Sequence, residues 1–145
     1  DVPPAPAQPG DAGADTLRGG AGSDLLDGGL AADTLHGGAG EDSFRFSTEL
    51  GDDNVDRIRD FNVDDDLILL DNMIFTDVGD DGALGFGAFH RSSAGVAFDG
   101  GDRIIYDTDN GKLYYDADGS GEEEAIQFAQ LNTDLYLSAD DFVIF

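Results

Sequence analysis

The sequence of 145 residues contains no cysteine, only 7 Lys or Arg residues and no long apolar run. Without cysteine, neither disulfide bonds nor thiolate metal sites can stabilise the fold, which excludes a disulfide scaffold. No apolar stretch approaches the roughly 20 residues that a bilayer-spanning helix needs. The opening segment DVPPAPAQP lacks the basic and apolar regions of a signal peptide. We therefore expect residues 1–9 to be a linker and the chain to be the C-terminal piece of a longer protein.

The shortage of basic residues leaves a formal charge of -25, from 27 Asp and 5 Glu. Such a surface repels phosphate backbones and anionic headgroups. We therefore expect no binding to nucleic acid and no membrane insertion, and we expect bound cations. Asp is a short ligand and a good turn former, so its excess over Glu indicates turns that hold ions. The 40% hydrophobic content, with 10 Phe and 4 Tyr, favours a packed core over a disordered acidic chain.

Four nonapeptides follow one another in strict register near the start of the chain. They are GDAGADTLR (10–18), GGAGSDLLD (19–27), GGLAADTLH (28–36) and GGAGEDSFR (37–45). Every first position is Gly, every sixth is Asp and every eighth is apolar. A flexible glycine-rich linker has no need of a phased apolar column, so the pattern indicates a structural repeat.

Each column has a physical use. Glycines at positions 1, 2 and 4 permit the positive φ angles and close packing of a tight turn. The three residues after the Asp, with one apolar side chain in the middle, suit a very short strand that faces a core. Two repeats then make one coil of a right-handed solenoid, and turns n and n+2 stack on the same side.

Stacked turns of this kind gather carboxylate and carbonyl oxygens around common points. A hard cation with six to eight oxygen ligands fits such a set, and calcium is its natural occupant. Magnesium prefers smaller, water-rich octahedra, and the chain offers no Cys or clustered His to zinc or copper. Without an ion the rows of Asp would repel one another, so we expect the solenoid to depend on calcium.

The four nonapeptides resemble the RTX (repeat-in-toxin, haemolysin-type) calcium-binding repeat GGxGxDxUx. The resemblance implies an all-β fold: a short parallel β-roll over residues 10–46, followed by a β-rich, β-sandwich-like C-terminal cap over residues 47–145. It also implies at least two calcium ions. The first ion would lie between the first and third turns, and its ligands would be the carboxylates of Asp15 and Asp33 and the carbonyls of Asp11, Gly13, Gly28 and Leu30. The second would lie between the second and fourth turns, and its ligands would be the carboxylates of Asp24 and Asp42 and the carbonyls of Gly20, Gly22, Gly37 and Ala39.

Two residues depart from the repeat pattern. Asp11 replaces the second Gly of the first repeat, and Ala31 replaces the fourth-position Gly of the third repeat. Both departures touch the ion between the first and third turns, so the pair of Asp24 and Asp42 is the better supported site.

After residue 46 the pattern changes to VDRIRDFNVDDDLILLD (55–71), whose alternation predicts strands that cap the open end of the roll. The segment around Asp56 and Asp60 resembles the stretch that comes directly after the last repeat in secreted RTX proteins. There, an acidic residue completes a terminal metal site, so both residues are candidate ligands. Solvated carboxylates at a strand end are an equal alternative.

Further along, RIIYDTDNGKLYYDADGSG (103–121) contains Asn110-Gly111 between two apolar runs, which predicts a β-hairpin. The following loop resembles the start of an EF-hand but has Gln127 at its twelfth position instead of Glu. A further ion bound across the hairpin and ordinary Asp-rich turns stay open as alternatives. The candidate ligands for that ion are Asp107, Asp109, Asp116 and Asp118.

Three shorter segments complete the expectations. The segment 84–90 predicts a core-facing strand or a short helix, and 122–131 is ambiguous between helix and strand. Ser138 begins a capped helical turn. The apolar end at residues 142–145, after two acidic residues, resembles an uncleaved type I secretion signal, and it equally suits a final strand.

No constellation for catalysis is present. The two histidines are His36 and His90, and the chain contains no HExxH zinc motif and no GxSxG elbow. We therefore expect a non-enzymatic calcium-binding module, secreted to the exterior or surface of a bacterium by the type I machinery. Such a module would fold on meeting extracellular calcium and support the secretion and stability of a larger protein. The alternatives are a calcium-dependent adhesion or polysaccharide-binding module and the non-catalytic C-terminal part of a secreted protease, lipase or epimerase.

Overall fold

The computed structural model describes residues 13–145, so the expected linker 1–9 and Asp11 lie outside the described residues. Within this range the chain forms strands and two 3-10 turns and contains no α-helix, which confirms the predicted all-β class. The strands are β1 (Thr16–Ala21), β2 (Leu25–Leu26), β3 (Thr34–Ala39), β4 (Ser43–Phe46), β5 (Asp56–Ile58), β6 (Leu67–Leu70), β7 (Gly82–Ala83), β8 (Phe89–Ser92), β9 (Ile104–Asp107), β10 (Lys112–Tyr115), β11 (Ile126–Gln130) and β12 (Phe142–Ile144).

The strands form two sheets that lie on opposite sides of one core. The seven-stranded sheet has the order β1-β3-β5-β11-β10-β9-β8, and the five-stranded sheet has the order β2-β4-β6-β12-β7. The chain alternates between the sheets through β1 to β6, so each coil contributes one strand to each sheet. Pairing between successive coils is parallel, as in β1 with β3 and in β2 with β4. This is the predicted β-roll.

The apolar column of the repeats becomes two stacks of side chains in the core. In the seven-stranded sheet Leu17 is in register with Leu35, and Leu35 is in register with Ile58. In the five-stranded sheet Leu26, Phe44 and Ile68 are in register in the same way. Leu35, Phe44 and Ile68 are fully buried. Burial of one apolar side chain per repeat is what fixes the register of these very short strands.

The roll continues beyond the four nonapeptides. β5 pairs in parallel with β3, and β6 pairs in parallel with β4, so residues without the repeat pattern form the next coil. β11 and β12 then add in parallel to β5 and β6. The region predicted as a cap therefore extends both sheets of the roll, and antiparallel strands join only at β7, β9 and β10.

The local predictions for the second half have clear outcomes. β9 and β10 pair antiparallel, which confirms the hairpin around Asn110-Gly111. Residues 84–90 contain a 3-10 turn at Phe86–Ala88 followed by the start of β8. None of the residues of this turn is buried, so the expectation that it faces the core is wrong. The ambiguous segment 122–131 contains strand β11. Ser138 begins a 3-10 turn at Ala139–Asp141 with a capping box, in which the Ser138 amide donates to the Asp141 carboxylate at 2.8 Å.

Aromatic side chains fill the core where the two sheets are joined by the second half of the chain. Phe128 packs edge-on against both Phe46 and Phe75, with ring centroids 5.2 and 5.0 Å apart. Phe75 also packs edge-on against Tyr115. These contacts tie a strand of the repeats to a strand of the hairpin, so the roll and the C-terminal region share one core.

Ala31 has a φ angle of 80°, a conformation that glycine adopts at the equivalent positions Gly22 and Gly40. A Cβ in this region costs about 1 kcal/mol or more. We expect Ala31→Gly to raise the free energy of unfolding by about 0.5 kcal/mol, after subtracting the greater freedom of glycine in the unfolded chain. Chemical denaturation in saturating calcium measures this difference. The matched control is Ala32→Gly, because Ala32 has no positive φ and should lose about 0.5 kcal/mol. Equal losses in both variants would contradict the assignment of strain to Ala31.

Candidate metal centre

The sixth-position aspartates form two ladders along the edges of the roll. In the first aspartate ladder, the Asp15 amide donates to the Asp33 carboxylate at 2.7 Å, and the Asp33 amide donates to the Asp56 carboxylate at 3.0 Å. In the second aspartate ladder, the amides of Asp24 and Asp42 donate in the same way to the carboxylates of Asp42 and Asp66, each at 3.0 Å. The structure thus brings together the residues predicted as pairs, one coil apart.

The ladders leave oxygen atoms that are buried without a hydrogen bond. Among residues 13–145, these include Oδ2 of Asp15, both carboxylate oxygens of Asp24 and Oδ2 of Asp42. Asp24 is 4% exposed and Asp42 is 1% exposed. Burying a carboxylate oxygen without a hydrogen-bond donor or a cation is costly. The all-oxygen donor set and these unsatisfied atoms therefore fit a hard cation such as calcium.

The first-position glycines lie directly against the carboxylates. A Cβ on Gly19 would lie 2.6 Å from Asp24 Oδ2, and a Cβ on Gly28 or Gly37 would clash with Oδ2 of Asp33 or Asp42. Each Oδ2 is therefore directed across its own turn toward the glycine five residues earlier. Any side chain at this position would displace the carboxylate, which is the physical reason for the invariant glycine column within these repeats.

The backbones of the second and fourth turns lie in close contact, with carbonyl oxygens of each turn near the glycines of the other. A Cβ on Gly38 would meet the Gly20 carbonyl oxygen, and a Cβ on Gly40 would meet that of Gly22. From the other side, the Gly37 carbonyl lies 2.7 Å from the Cβ position of Gly19. The Ala39 carbonyl accepts the Gly22 amide at 2.9 Å and so joins the two turns. The four carbonyls predicted for the second ion thus lie on two segments that are in direct contact.

Of the four carbonyl ligands predicted for the first ion, three belong to the described residues. Gly13 precedes Asp15 by two residues, and Gly28 and Leu30 lie in the turn between β2 and β3. Gly28 is buried and packs against Asp33, whereas Leu30 is 51% exposed.

The second ladder concentrates negative charge in a buried place. The pKa of Asp42 is raised to about 6, mainly by burial and in smaller part by the nearby charges of Asp66, Asp24 and Asp60, against the lowering effect of the Asp24 amide. Burial is also the main cause that raises the pKa of Asp66. A bound cation would remove this penalty, because it stabilises the charged carboxylates.

Asp56 and Asp60, the two candidates beyond the repeats, have different positions. Asp56 ends the first ladder and is 5% exposed. Its pKa is raised to about 7, mainly by burial and in smaller part by the charges of Asp33 and Asp27, against a lowering by the Asp33 amide. Asp60 lies on the other edge, where its two oxygens accept the amides of Gly37 and Gly38, each at 2.9 Å. Asp60 therefore ties the next coil to the fourth turn.

Asp66 is a member of the second ladder that the sequence analysis missed. It lies 24 residues after Asp42, whereas the repeat spacing between ladder partners is 18 residues. The sequence nevertheless contains a pattern that could have identified Asp66, because this residue directly precedes the short apolar strand β6. An Asp directly before a short strand is the same arrangement as in each nonapeptide.

The four hairpin aspartates do not come together. Asp107 follows the register pair Tyr106–Leu113 at the turn end of the hairpin, and its carboxylate accepts the Asp109 amide at 2.9 Å. Asp116 lies at the opposite end, where its amide donates to the Arg103 carbonyl. Its carboxylate accepts the Asp118 amide at 3.2 Å. The register therefore separates the two pairs, so a single ion across the hairpin does not fit, and each pair forms an Asp-rich turn.

In the described part of the chain no three His, Cys, Asp or Glu side chains cluster into a metal site. The ladders offer carboxylates in pairs, so a complete coordination shell there requires carbonyl oxygens from the turns.

Within residues 13–145 there is no helix with the length and apolar character that a membrane crossing requires.

One protein family and one solved structure are similar to this chain. The family described as the RTX calcium-binding nonapeptide repeat (4 copies) matches residues 9–44. Among solved structures, the solution structure of the AlgE6R3 subunit of the Azotobacter vinelandii mannuronan C5-epimerase is similar. It shares 31% sequence identity with a TM-score of 0.51, and the match covers 90% of this chain and 67% of that chain. None of the curated proteins matches in sequence.

We expect Gly38→Ala to lower the free energy of unfolding in calcium by about 2 kcal/mol or more. The added methyl group would meet the Gly20 carbonyl, and Gly38 has a φ angle of 93°. Gly85→Ala is the control, since Gly85 has extended backbone with φ -60° and nothing within 4 Å of its Cβ position. Equal stability of the two variants would show that the second and fourth turns do not pack as described.

The raised pKa values of Asp42 and Asp56 predict opposite pH dependences with and without calcium. Both pKa values exceed the unfolded value of 3.8, so protonation stabilises the ion-free fold below that value. This stability is lost as the pH rises through about 6 to 7. In calcium-depleted buffer, the β signal in circular dichroism should therefore increase on acidification from about pH 7.5 to 5. In subsaturating calcium, the same acidification should release the ion, because protons compete for the carboxylates. An ion-free β signal that falls on acidification would contradict this expectation.

Proposed function

This chain belongs to the RTX family of calcium-binding proteins, and from that premise we propose that it is a module that folds when it binds extracellular calcium. The family match identifies the calcium-binding repeats, and the order of the strands in the two sheets gives the β-roll. In the proposed role, the module supports the type I secretion and the stability of a larger protein and performs no catalysis itself.

The proposed calcium ligands come from the two ladders. One ion lies between the second and fourth turns and is held by the carboxylates of Asp24 and Asp42 with the carbonyls of Gly20, Gly22, Gly37 and Ala39. A second lies between the first and third turns and uses Asp15 and Asp33 with the carbonyls of Asp11, Gly13, Gly28 and Leu30. Asp56 and Asp66 extend the ladders and are candidates for outer ligands. Bound calcium supplies positive charge to carboxylates that would otherwise repel one another.

The observation that carries this proposal is the burial of Asp24 and Asp42 with unsatisfied carboxylate oxygens. Two such groups on adjacent coils oppose folding when both are charged and no cation is bound. Ion binding then contributes free energy only to the folded chain. Calcium in the range of about 10⁻⁴ to 10⁻³ M, which extracellular modules use, would make the fold conditional on export.

The C-terminal strand is consistent with folding after export. Phe142 and Ile144 in β12 are 0% and 2% exposed and pair with β6 in the core. A secretion signal at residues 142–145 would be accessible only while the chain is unfolded. This order of events supports a module that stays extended in low calcium and buries its signal outside the cell.

The similarity to a subunit of a mannuronan C5-epimerase favours two further roles. The chain would be the non-catalytic C-terminal part of a secreted enzyme, of which an epimerase is the favoured example over a protease or a lipase. It would also serve as a calcium-dependent adhesion or polysaccharide-binding module. Sugar-binding modules use exposed aromatic side chains on which a sugar ring can stack. Tyr106 and Tyr115 are 0% and 5% exposed and cannot serve in this way, whereas Phe86 is 95% exposed and can.

We expect Asp42→Asn to raise the calcium concentration at half-maximal folding by about tenfold or more. Asparagine keeps an oxygen that can accept the Asp24 amide, so the change removes mainly a charged ligand. The measurement is a calcium titration followed by far-ultraviolet circular dichroism, beginning in excess chelator. Asp64→Asn removes the same charge from an exposed side chain and should shift the midpoint by less than about twofold.

The circular dichroism spectrum of the wild-type chain in chelator tests the proposal that calcium drives folding. A largely unfolded spectrum that becomes β-rich on addition of calcium supports calcium-driven folding. A β-rich spectrum in chelator that calcium does not change would overturn it. Equal midpoints for the Asp42 and Asp64 variants would remove Asp42 from the ligand set.

A further inference from the structure

The turn between β9 and β10 contains the single Asn-Gly pair of the chain, Asn110-Gly111. Such a pair is chemically reactive, because the main-chain nitrogen of the glycine can attack the side-chain amide carbon of the asparagine. Glycine has no Cβ that would hinder this approach. Each of the other four asparagines precedes a larger residue: Asn54, Asn62, Asn72 and Asn132. In an unfolded chain, Asn110 is therefore the asparagine that reacts most readily.

The reaction is deamidation, and its only co-reactant is water. The Gly111 nitrogen loses its proton to solvent and forms a bond to Cγ of Asn110. The bond from Cγ to Nδ2 breaks, Nδ2 takes up a proton and leaves as ammonia, and a five-membered succinimide remains. Water then adds to one of the two ring carbonyls and breaks the bond from that carbonyl to nitrogen. Opening at Cγ gives aspartate, and opening at the main-chain carbonyl gives isoaspartate.

In the folded chain, both ends of the Asn110-Gly111 peptide unit are held by hydrogen bonds. The Gly111 amide donates to the Asp107 carbonyl at 2.8 Å, and the Asn110 carbonyl accepts the side-chain amide of Gln130. The attacking nitrogen is thus already bonded through the proton that it has to lose. The planar peptide unit also cannot turn this nitrogen toward Cγ without breaking both contacts.

The side chain that would be attacked is fixed as well. Asn110 Oδ1 accepts the Lys112 amide at 3.0 Å, so the asparagine side chain spans the turn. Asn110 is exposed, whereas Gly111 is buried and its carbonyl accepts the Leu131 amide at 2.8 Å. A Cβ on Gly111 would meet the Leu131 carbonyl oxygen. Strand β11 therefore covers the glycine and holds the turn from outside the hairpin.

Negative charge in the same turn opposes the first step of the reaction. Removal of the proton from the Gly111 amide creates an anion, and the carboxylates of Asp107 and Asp109 belong to this turn. The Asp107 carboxylate is held there by the Asp109 amide at 2.9 Å, and Asp107 is 5% exposed. Fixed like charges disfavour a further anion more strongly in a partly buried place than in water. In the unfolded chain, solvent and salt screen the same charges.

We propose that Asn110 is a deamidation site that the folded hairpin protects and the unfolded chain exposes. The protection depends only on the hairpin and its contacts with β11. Its control by calcium rests on the proposed function, in which calcium drives folding. Calcium then sets the chemical lifetime of the chain as well as its conformation, because a chain that waits unfolded is modified irreversibly.

The two products have different consequences for the fold. Aspartate at position 110 keeps an oxygen that can accept the Lys112 amide. Isoaspartate instead adds a methylene group to the main chain between β9 and β10. The longer connection displaces the Gly111 amide from the Asp107 carbonyl and disturbs the register of the Tyr106–Leu113 pair. A chain with isoaspartate at this position should therefore close the hairpin poorly when calcium is added.

The test is incubation of the full chain at neutral pH in saturating calcium, in excess chelator and in guanidinium chloride, with circular dichroism recorded for each sample. Mass spectrometry of proteolytic peptides measures deamidation at each asparagine, and enzymatic methylation measures isoaspartate. In guanidinium chloride, we expect Asn110 to deamidate at least about tenfold faster than Asn132, which precedes Thr133. In calcium, Asn110 should react at least about tenfold more slowly than in guanidinium chloride. In chelator, its rate should approach that in guanidinium chloride.

Two variants separate the modification from other effects of ageing. Asn110→Ser cannot form the succinimide, and its hydroxyl can accept the Lys112 amide in place of Oδ1. After prolonged incubation in chelator, the wild type should lose its calcium-induced β signal in proportion to its isoaspartate content, whereas Asn110→Ser should retain the signal. Asn110→Asp carries the charge of the normal product from the start. Freshly prepared, it should fold with a calcium midpoint within about twofold of that of the wild type.

The proposal is overturned if Asn110 deamidates as fast in the β-rich, calcium-bound chain as in guanidinium chloride. It is also overturned if Asn110 reacts no faster than Asn132 in guanidinium chloride. Equal loss of signal in the aged wild type and the aged Asn110→Ser variant would refute the effect of isoaspartate on folding. Slow deamidation in chelator, together with an unchanged β-rich spectrum, would overturn calcium-driven folding but would support the protection of Asn110 by the hairpin.

Discussion

In the two ladders, the amide of every aspartate except the last donates to the carboxylate of the aspartate one coil later, and the rest of the roll depends on this contact. The hydrogen bond fixes the spacing and register of successive coils, while it also buries negative charges above one another. Asp42 shows the balance most clearly, because one of its oxygens accepts the Asp24 amide and the other is buried without a donor. A cation between the turns resolves this conflict, and for that reason folding and calcium binding are one process in the proposed function.

The same alternation that places the ladders and the core also separates the basic side chains from the acidic ones. A short strand with one buried residue must direct its two neighbours outward, and these outward positions hold threonine, arginine and histidine in β1, β3 and β5. The acidic residues are therefore concentrated at the turns, whereas the outer face of the seven-stranded sheet carries most of the basic residues.

Much of the fold was predictable from the repeat. The columns of Gly, Asp and Leu predict the turns, the ladders and the core-facing strands, and the Asn110-Gly111 pair predicts the hairpin of β9 and β10. The role of residues 47–145 was less predictable, because β5 and β6 continue the roll without glycine columns. Their pairing with β3 and β4 depends on contacts across more than 20 residues, which no local pattern records. Asp66 was missed for this reason, and the hairpin aspartates were grouped although the register separates them.

The sequence by itself determined the periodic part of this protein: the family, the choice of calcium and the aspartates that pair across alternate turns. It could do so because the local conformation of a nonapeptide depends on residues within that nonapeptide and on an identical neighbour. Only the tertiary structure decided how the non-repeating chain closes the roll, which aspartates end the ladders and how β11 holds the Asn110-Gly111 turn. Those features arise from strands that are distant in sequence and become neighbours only when they pack on a common core.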